Sequence, residues 1–250
     1  MQTAKLEALD HYLKGQKLHA RYTRDGNVAA ILEFSRATEL DPQFARAHAW
    51  EAYAQLENYK QNFADKDDSI KLANEAVEEA LTLGPYDFFT HWTKAAICME
   101  LRDMPGAHKE YNTALALADG PNADMLIEMA DMFSFEGNSS KAIIQIEKAK
   151  TLAPIIPPCY SWSLALAYFQ SRKYLESVTL LESLPDLANE AYLMLAISKA
   201  KLDAPIAPGD IKSHMFARDP LWTTEHLDRM PFVIPADKEH WMSGLQMIGI

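Results

Sequence analysis

Glycine is scarce in this sequence, with nine in 250 residues. Turn-rich all-β folds use more, so the shortage points away from them. Cysteine is scarcer still. Cys98 and Cys159 are the only two, too few for a disulfide framework, and they are expected as buried, reduced thiols of a cytoplasmic protein. No run approaches the roughly 18 apolar residues of a membrane span, and the opening stretch MQTAKLEALDHYLKGQ lacks the apolar core of a signal peptide. Positive charge is in deficit as well, with 24 Lys and Arg against 35 Asp and Glu, a formal net charge of -11. A net-acidic surface repels phosphate backbones, so neither nucleic acid nor a membrane is an expected partner.

Catalytic signatures are missing too. The sequence contains no GxSxG, HExxH, P-loop, GxGxxG or CxxC pattern. Its eight histidines are scattered. His48 and His91 recur at one place, each four residues before an alanine (Ala52 and Ala95). That recurrence could be read as a metal pair, but a shared inter-helix packing position is the expected reading. The stretch DKDDS at 65–69 lacks the sixth-position glycine and closing glutamate of a calcium loop. It reads as a solvated turn in which Asp68 or Ser69 caps the next helix. The expectation is a protein with no enzyme activity, no metal and no cofactor.

What the sequence does hold is helix formers (Ala, Leu, Glu, Lys and Met) and an internal repeat. Ala30, Phe34, Ala37 and Pro42 recur as Ala73, Val77, Ala80 and Pro85, then Ala107, Tyr111, Ala114 and Asp119, then Ala142, Ile146, Ala149 and Pro154. All four positions shift together, by 43, 34 and 35 residues. Positions i, i+4 and i+7 share one helix face. Two alanines there admit a close neighbour, the large residue between them fills the gap, and proline stops the helix. A second series, Ala52, Ala95, Ala130 and Ala165, precedes these helices with nearly the same steps. The repeating unit is therefore a helix, a turn and a second helix.

In these features the chain resembles the tetratricopeptide repeat family. The period is about 34 residues, the small-large-small seam and closing proline match, and Gly137 in FSFEGNSSKA stands at the family's turn glycine. The resemblance spans roughly residues 5–203. It implies an all-α fold, a right-handed α-solenoid of about six helix-turn-helix units within residues 1–203, followed by a proline- and aromatic-rich tail with a capping helix in 204–250. The second unit carries about nine extra residues, assigned to its turn at NYKQNFADKDDS. In the first unit Gly15 takes the small position. A narrower resemblance is to the repeat regions C-terminal to bacterial class III adenylate and guanylate cyclase domains. It rests on the long second turn and the PF…PAD…GL…G ending.

The resemblance also implies a groove lined by the first helix of each unit. Its residues include Tyr12 and His19, then Arg46 and Tyr53, then Phe89, Trp92 and Met99, then Asp131, Trp162 and Phe169. This lining is aromatic rather than charged. Large exposed apolar patches mark binding sites, and aromatic residues are common hot spots. The expected partner is a protein or peptide segment held in the groove. Two other occupants remain open: the tail around Trp222, Phe232 and Trp241, or a second copy forming a homodimer. A different class of function, a regulatory accessory of a bacterial nucleotide cyclase or transcription regulator, is the alternative. The clamp by which chaperone adaptors of the family grip a carboxylate is missing, since Tyr12, Gln16, Trp50, Phe89 and Thr93 occupy its positions.

Overall fold

The computed structural model describes residues 4–61, 63, 66–120, 122–153, 157–218, 223–228 and 230–250, and every regular element among them is an α-helix. The chain divides into two compact units, Met1–Gly120 and Pro121–Ile250. The first holds α1 (Leu6–His19), α2 (Arg24–Leu40), α3 (Ala45–Gln61), α4 (Lys66–Leu83), α5 (Phe88–Glu100) and α6 (Met104–Leu117). The second holds α7 (Ala123–Phe135), α8 (Ser139–Leu152), α9 (Pro158–Gln170), α10 (Tyr174–Glu182), α11 (Asn189–Lys201), α12 (Pro208–Arg218), α13 (Glu225–Asp228) and α14 (Pro235–Met247). In the first unit α1–α2, α3–α4 and α5–α6 pack as helix pairs, and each pair stacks on the next. In the second, α7–α8 and α9–α10 do the same, α11 packs on α9 and α10, and α12 and α14 pack on α11. Each unit is a short length of α-solenoid.

The seam read from the sequence is the core of this stacking. Ala30, Phe34 and Ala37, Ala73, Val77 and Ala80, Ala107, Tyr111 and Ala114, and Ala142, Ile146 and Ala149 are all fully buried, as are Ala52, Ala95, Ala130 and Ala165. Burying a large side chain such as Phe34 contributes roughly 1.5–3 kcal/mol. Gly15 shows why the partner position must be small, because a Cβ built there would lie 2.5 Å from Phe34 Cε1.

Helix ends follow local chemistry. Thr23, Asp87, Asp103 and Asn122 each accept a hydrogen bond from the backbone N–H three residues on, capping α2, α5, α6 and α7. Each such cap is worth about 1 kcal/mol. The turns within the helix pairs repeat one geometry. Arg102, Gly137, Arg172 and Asp203 take positive φ, and the next N–H reaches back to the carbonyl five residues earlier: Asp103 to Cys98, Asn138 to Phe133, Lys173 to Tyr168 and Ala204 to Lys199. That is the Schellman ending, and only one of the four left-handed positions is glycine.

Three readings of the sequence meet the structure differently. The extra residues of the second unit do not form a long turn. Residues 58–61 continue α3 and 66–69 open α4, so the insertion lengthens two helices, as its helix-forming composition favours. Asp68 and Ser69 accordingly lie inside the first turn of α4 and are not its N-cap, and Ser69 is buried. Pro42 and Pro85 stop α2 and α4 as expected; Pro154 lies outside the described residues.

Candidate interaction site

In the first unit the inward side chains of α1, α3 and α5 form an aromatic cluster. The Trp50 indole stacks on the Phe89 ring, with centroids 4.7 Å apart and planes at 23°. The His19 imidazole stands edge-on to Trp50 at 5.6 Å and lies 5.4 Å from the Tyr53 ring. Tyr53 lies 5.6 Å from Phe89 and 6.3 Å from Trp92, and Trp92 meets Phe89 edge-on at 5.7 Å. Trp50, Tyr53 and Trp92 are half-buried, so each keeps part of its ring in solvent, whereas Phe89 lies beneath them. Edge-to-face and offset contacts of this kind contribute about 0.5–1.5 kcal/mol beyond burial.

Charge borders the cluster on one side. Arg46 donates from Nε to Asp87 Oδ2 at 2.8 Å and from Nη2 to the same oxygen. Its guanidinium carbon sits 5.6 Å from the Phe88 centroid and 5.9 Å from that of Phe89. Asp87 is therefore held twice, by Arg46 and by its capping bond from Thr90 N–H. Burial lowers the His19 imidazole below the ordinary histidine range, against the pull of Glu57. His19 thus stands neutral among the rings near neutral pH.

The expected groove residues divide clearly on this geometry. Tyr53, Phe89, Trp92 and Arg46 come together. Tyr12 instead turns into the core, 4.9 Å from Phe44 and 6.2 Å from Phe34, and its burial raises the phenol. Met99 is buried near the end of α5 and offers almost no surface. His19, the last groove position of the first repeat, joins the cluster, and so does Trp50, which did not stand among the expected groove residues. The signal for Trp50 was an aromatic side chain between Arg46 and Tyr53, beside the small Ala52.

In the second unit Asp131 and Trp162 are half-buried on α7 and α9. Phe169 is fully buried and faces the tail: its ring stacks on His240 at 4.4 Å and 25° and lies 4.7 Å from Trp241. The expectation of an open groove at Phe169 gives way to a face covered by the chain's own last helix. Phe232 likewise packs edge-on to Phe135 at 5.3 Å. Trp222 lies outside the described residues.

His48 and His91 face the carbonyls of Pro42 and Pro85, six residues back, at 3.1 and 2.9 Å. The recurrence is thus a repeated packing bond, and His91 also meets Glu110 at 2.6 Å. Among the described residues no cluster could hold a metal ion. Cys98 is buried as expected, which pushes its thiol up to about 11; Cys159 instead is exposed, with its thiol raised as well, so neither forms a ready thiolate at neutral pH. None of the described helices is long and apolar enough to cross a membrane.

No protein-family model matches the sequence, and no curated protein matches it either. Solved structures do. The chain is similar to PilF of Pseudomonas aeruginosa, with a TM-score of 0.58 and 17% identity over 90% of this chain and 98% of that one. The TPR domain of P58(IPK) matches with a TM-score of 0.33 and 12% identity over 96% and 92% of the two chains, too loosely to bear on the argument. The likeness to PilF shows a shared fold. That fold is an all-α helical solenoid, in keeping with the buried seam and the repeated turns described above.

Proposed function

We propose that this chain is a non-catalytic scaffold that holds a partner protein on the aromatic face of its first unit. The observation that carries this reading is the cluster of Trp50, Tyr53, Phe89 and Trp92, with three of its rings partly in solvent and Arg46 at its border. Rigid aromatic rings give large contact area at small entropic cost, and Tyr, Trp and Arg dominate binding hot spots. The partner is a segment with apolar side chains to lay across the rings. The same arrangement, with no activated nucleophile and no metal cluster among the described residues, supports recognition without covalent chemistry.

The test is affinity capture from a lysate of the source cells with wild type and with the Tyr53→Ala, Trp92→Ala double variant. The variant should lose the captured protein while its circular dichroism stays helical. Equal capture by a folded double variant refutes the reading.

A further inference from the structure

The first unit holds a small polar cavity that the repeat pattern does not account for. Helices α5, α7 and α9 end five residues after their close-packing alanines, Ala95, Ala130 and Ala165. Helix α3 runs nine residues past Ala52, to Gln61. Its extra turn, 58–61, reaches out beside the α1–α2 turn. Between them lies a cavity of about 130 Å³ whose lining includes His19, Tyr22, Asn27, Glu57, Gln61 and Phe63.

The cavity is built to accept hydrogen bonds. Asn27 is buried in the first turn of α2. Its amide nitrogen donates to the Ala54 carbonyl at 2.9 Å and to Asn58 Oδ1, on the extra turn, at 2.7 Å. Both amide protons are thereby used. Oδ1 is turned the other way, buried and without a hydrogen-bond partner in the cavity wall. Unpartnered hydroxyls also occur in the repeat core, at Thr93, Ser134, Ser163 and Ser198. A helical hydroxyl can rotate toward a carbonyl of its own preceding turn, whereas the Asn27 oxygen is held fixed. A buried acceptor left unmet is costly, so the site favours a ligand that donates.

The surroundings favour a cation as well. Glu57 is half-buried and meets only the Lys60 amine of its own helix, at 3.3 Å, a pairing of the weak surface kind. Helices α1 and α3 both end at the cavity, at His19 and Gln61, and helix C-termini carry partial negative charge. Helix α2 starts there, with Thr23 as its cap and Asp25 in its first turn to offset the opposite charge. Tyr22 stands edge-on to His19 at 6.2 Å, and aromatic walls attract a flat cation. The volume is that of about four water molecules, room for a guanidinium head and little more.

We propose that this cavity is a specificity pocket for an arginine side chain of the partner segment whose apolar residues lie on the aromatic face. This rests on the first-unit reading and deepens it, because His19 belongs to both, lining the cavity and touching Trp50 and Tyr53. Glu57 takes two guanidinium N–H groups in parallel, and Asn27 Oδ1 receives the donor it lacks. A lysine ammonium, with its donors on one point, matches acceptors spread over α2 and α3 less well. The net charge of -11 draws a basic segment in.

The test uses the full chain, isotope-labelled for NMR and titrated with Nα-acetyl-arginine amide. The backbone signals of His19, Asn27 and Gln61 should shift and saturate. The uncharged analogue Nα-acetyl-citrulline amide should leave them in place, and Nα-acetyl-lysine amide should bind about fivefold more weakly. Glu57→Gln, which keeps the side-chain shape, should weaken arginine binding by roughly tenfold or more. Gln61→Ala, at an exposed position, should weaken it too. A second probe, acetyl-Leu-Leu-Arg-Leu-amide, sets aliphatic side chains beside the arginine. It should bind wild type roughly tenfold more tightly than the single amide and lose that gain in the Tyr53→Ala, Trp92→Ala variant. The proposal is overturned if arginine amide moves none of these signals, if the citrulline or lysine amide binds as well, or if either folded pocket variant binds like wild type. It is overturned equally if the leucine-bearing peptide gains nothing on wild type, since the pocket then serves a free guanidinium compound. The single amide reads the pocket alone and lysate capture reads the aromatic face, so the two readings fail separately.

Discussion

The first unit packs the aromatic side chains of α1, α3 and α5 against one another and leaves their edges in solvent. The second sets the matching helices α7, α9 and α11 against a further helix from the same chain. The seam alanines are equally buried in both. The difference therefore does not arise in the repeat, which builds the same helix pairs twice. It arises in what the inward positions carry and in whether a segment is at hand to cover them. A helical repeat fixes spacing and leaves the occupant of its face to other residues.

The comparison is broken most sharply by two tryptophans. Trp241→Ala removes a fully buried indole and should weaken the docking of α14 by roughly 3–5 kcal/mol. Its amide hydrogens should then exchange freely while α1–α6 stay protected. Trp92→Ala removes a half-buried ring and should cost about 1 kcal/mol in a denaturant titration. Equal effects would mean that the two faces are equally closed.

Acid offers the next test. Burial, with Arg172 and Lys201 adding, pulls His240 down to about 4 in the docked tail, against roughly 6.5 when released. The released form therefore binds the extra proton between those values. Docking is at full strength above pH 6.5 and weakens as pH falls toward 4, by on the order of 3 kcal/mol at most. The Tyr174 hydroxyl, 3.0 Å from His240 Nε2, and the Arg172–Asp237 pair complete the surroundings. Trp241 fluorescence should report the release, and His240→Phe, which keeps the stack on Phe169, should abolish the dependence. The first unit has a weaker counterpart in His19, lowered by burial but opposed by Glu57. Its Glu110 carboxyl resists a raising effect of burial through Lys109 and His91 and is held low, so that contribution is lost only in stronger acid.

The smallest effect belongs to the turns. Arg102 holds a left-handed φ of 62° with its side chain exposed, so Arg102→Gly should raise first-unit stability by up to about 1 kcal/mol. Gly137→Ala should lower second-unit stability by about as much, since it adds left-handed strain and pushes against Ile234. Thermal melting of the two variants would show opposite shifts.

Much of this fold was legible because its determinants are local. Ala30, Phe34, Ala37 and their copies lie on one helix face at a fixed interval, and periodicity reports that directly. The lengthened α3 and α4 were misread because an insertion at a known turn looks like loop until its own helix propensity is weighed. His19, Tyr53, Phe89 and Trp92 were legible as a group through their repeat positions, but Trp50 was not, since it reaches the cluster from just outside them. The cover over Phe169 was foreseen only as one of three occupants. Nothing in the spacing of Phe169 and Trp241, 72 residues apart, says that they meet. The narrower resemblance to cyclase-associated repeats remains an expectation from the ending of the chain.

The bond from Val233 to Phe135 joins residues 98 positions apart. In a stacked array most contacts run between neighbours, so unfolding can begin at an end and move inward one pair at a time. The first unit has that character, its main contacts lying between adjacent pairs. In the second, this link ties the segment before the last helix back to the first helix, while Trp241 holds the last helix to Phe169 of α9. Pulled by its termini, the first unit should come apart in small steps. The second should hold until the clasp opens and then give way at once, a mechanically stiff block beside a compliant one.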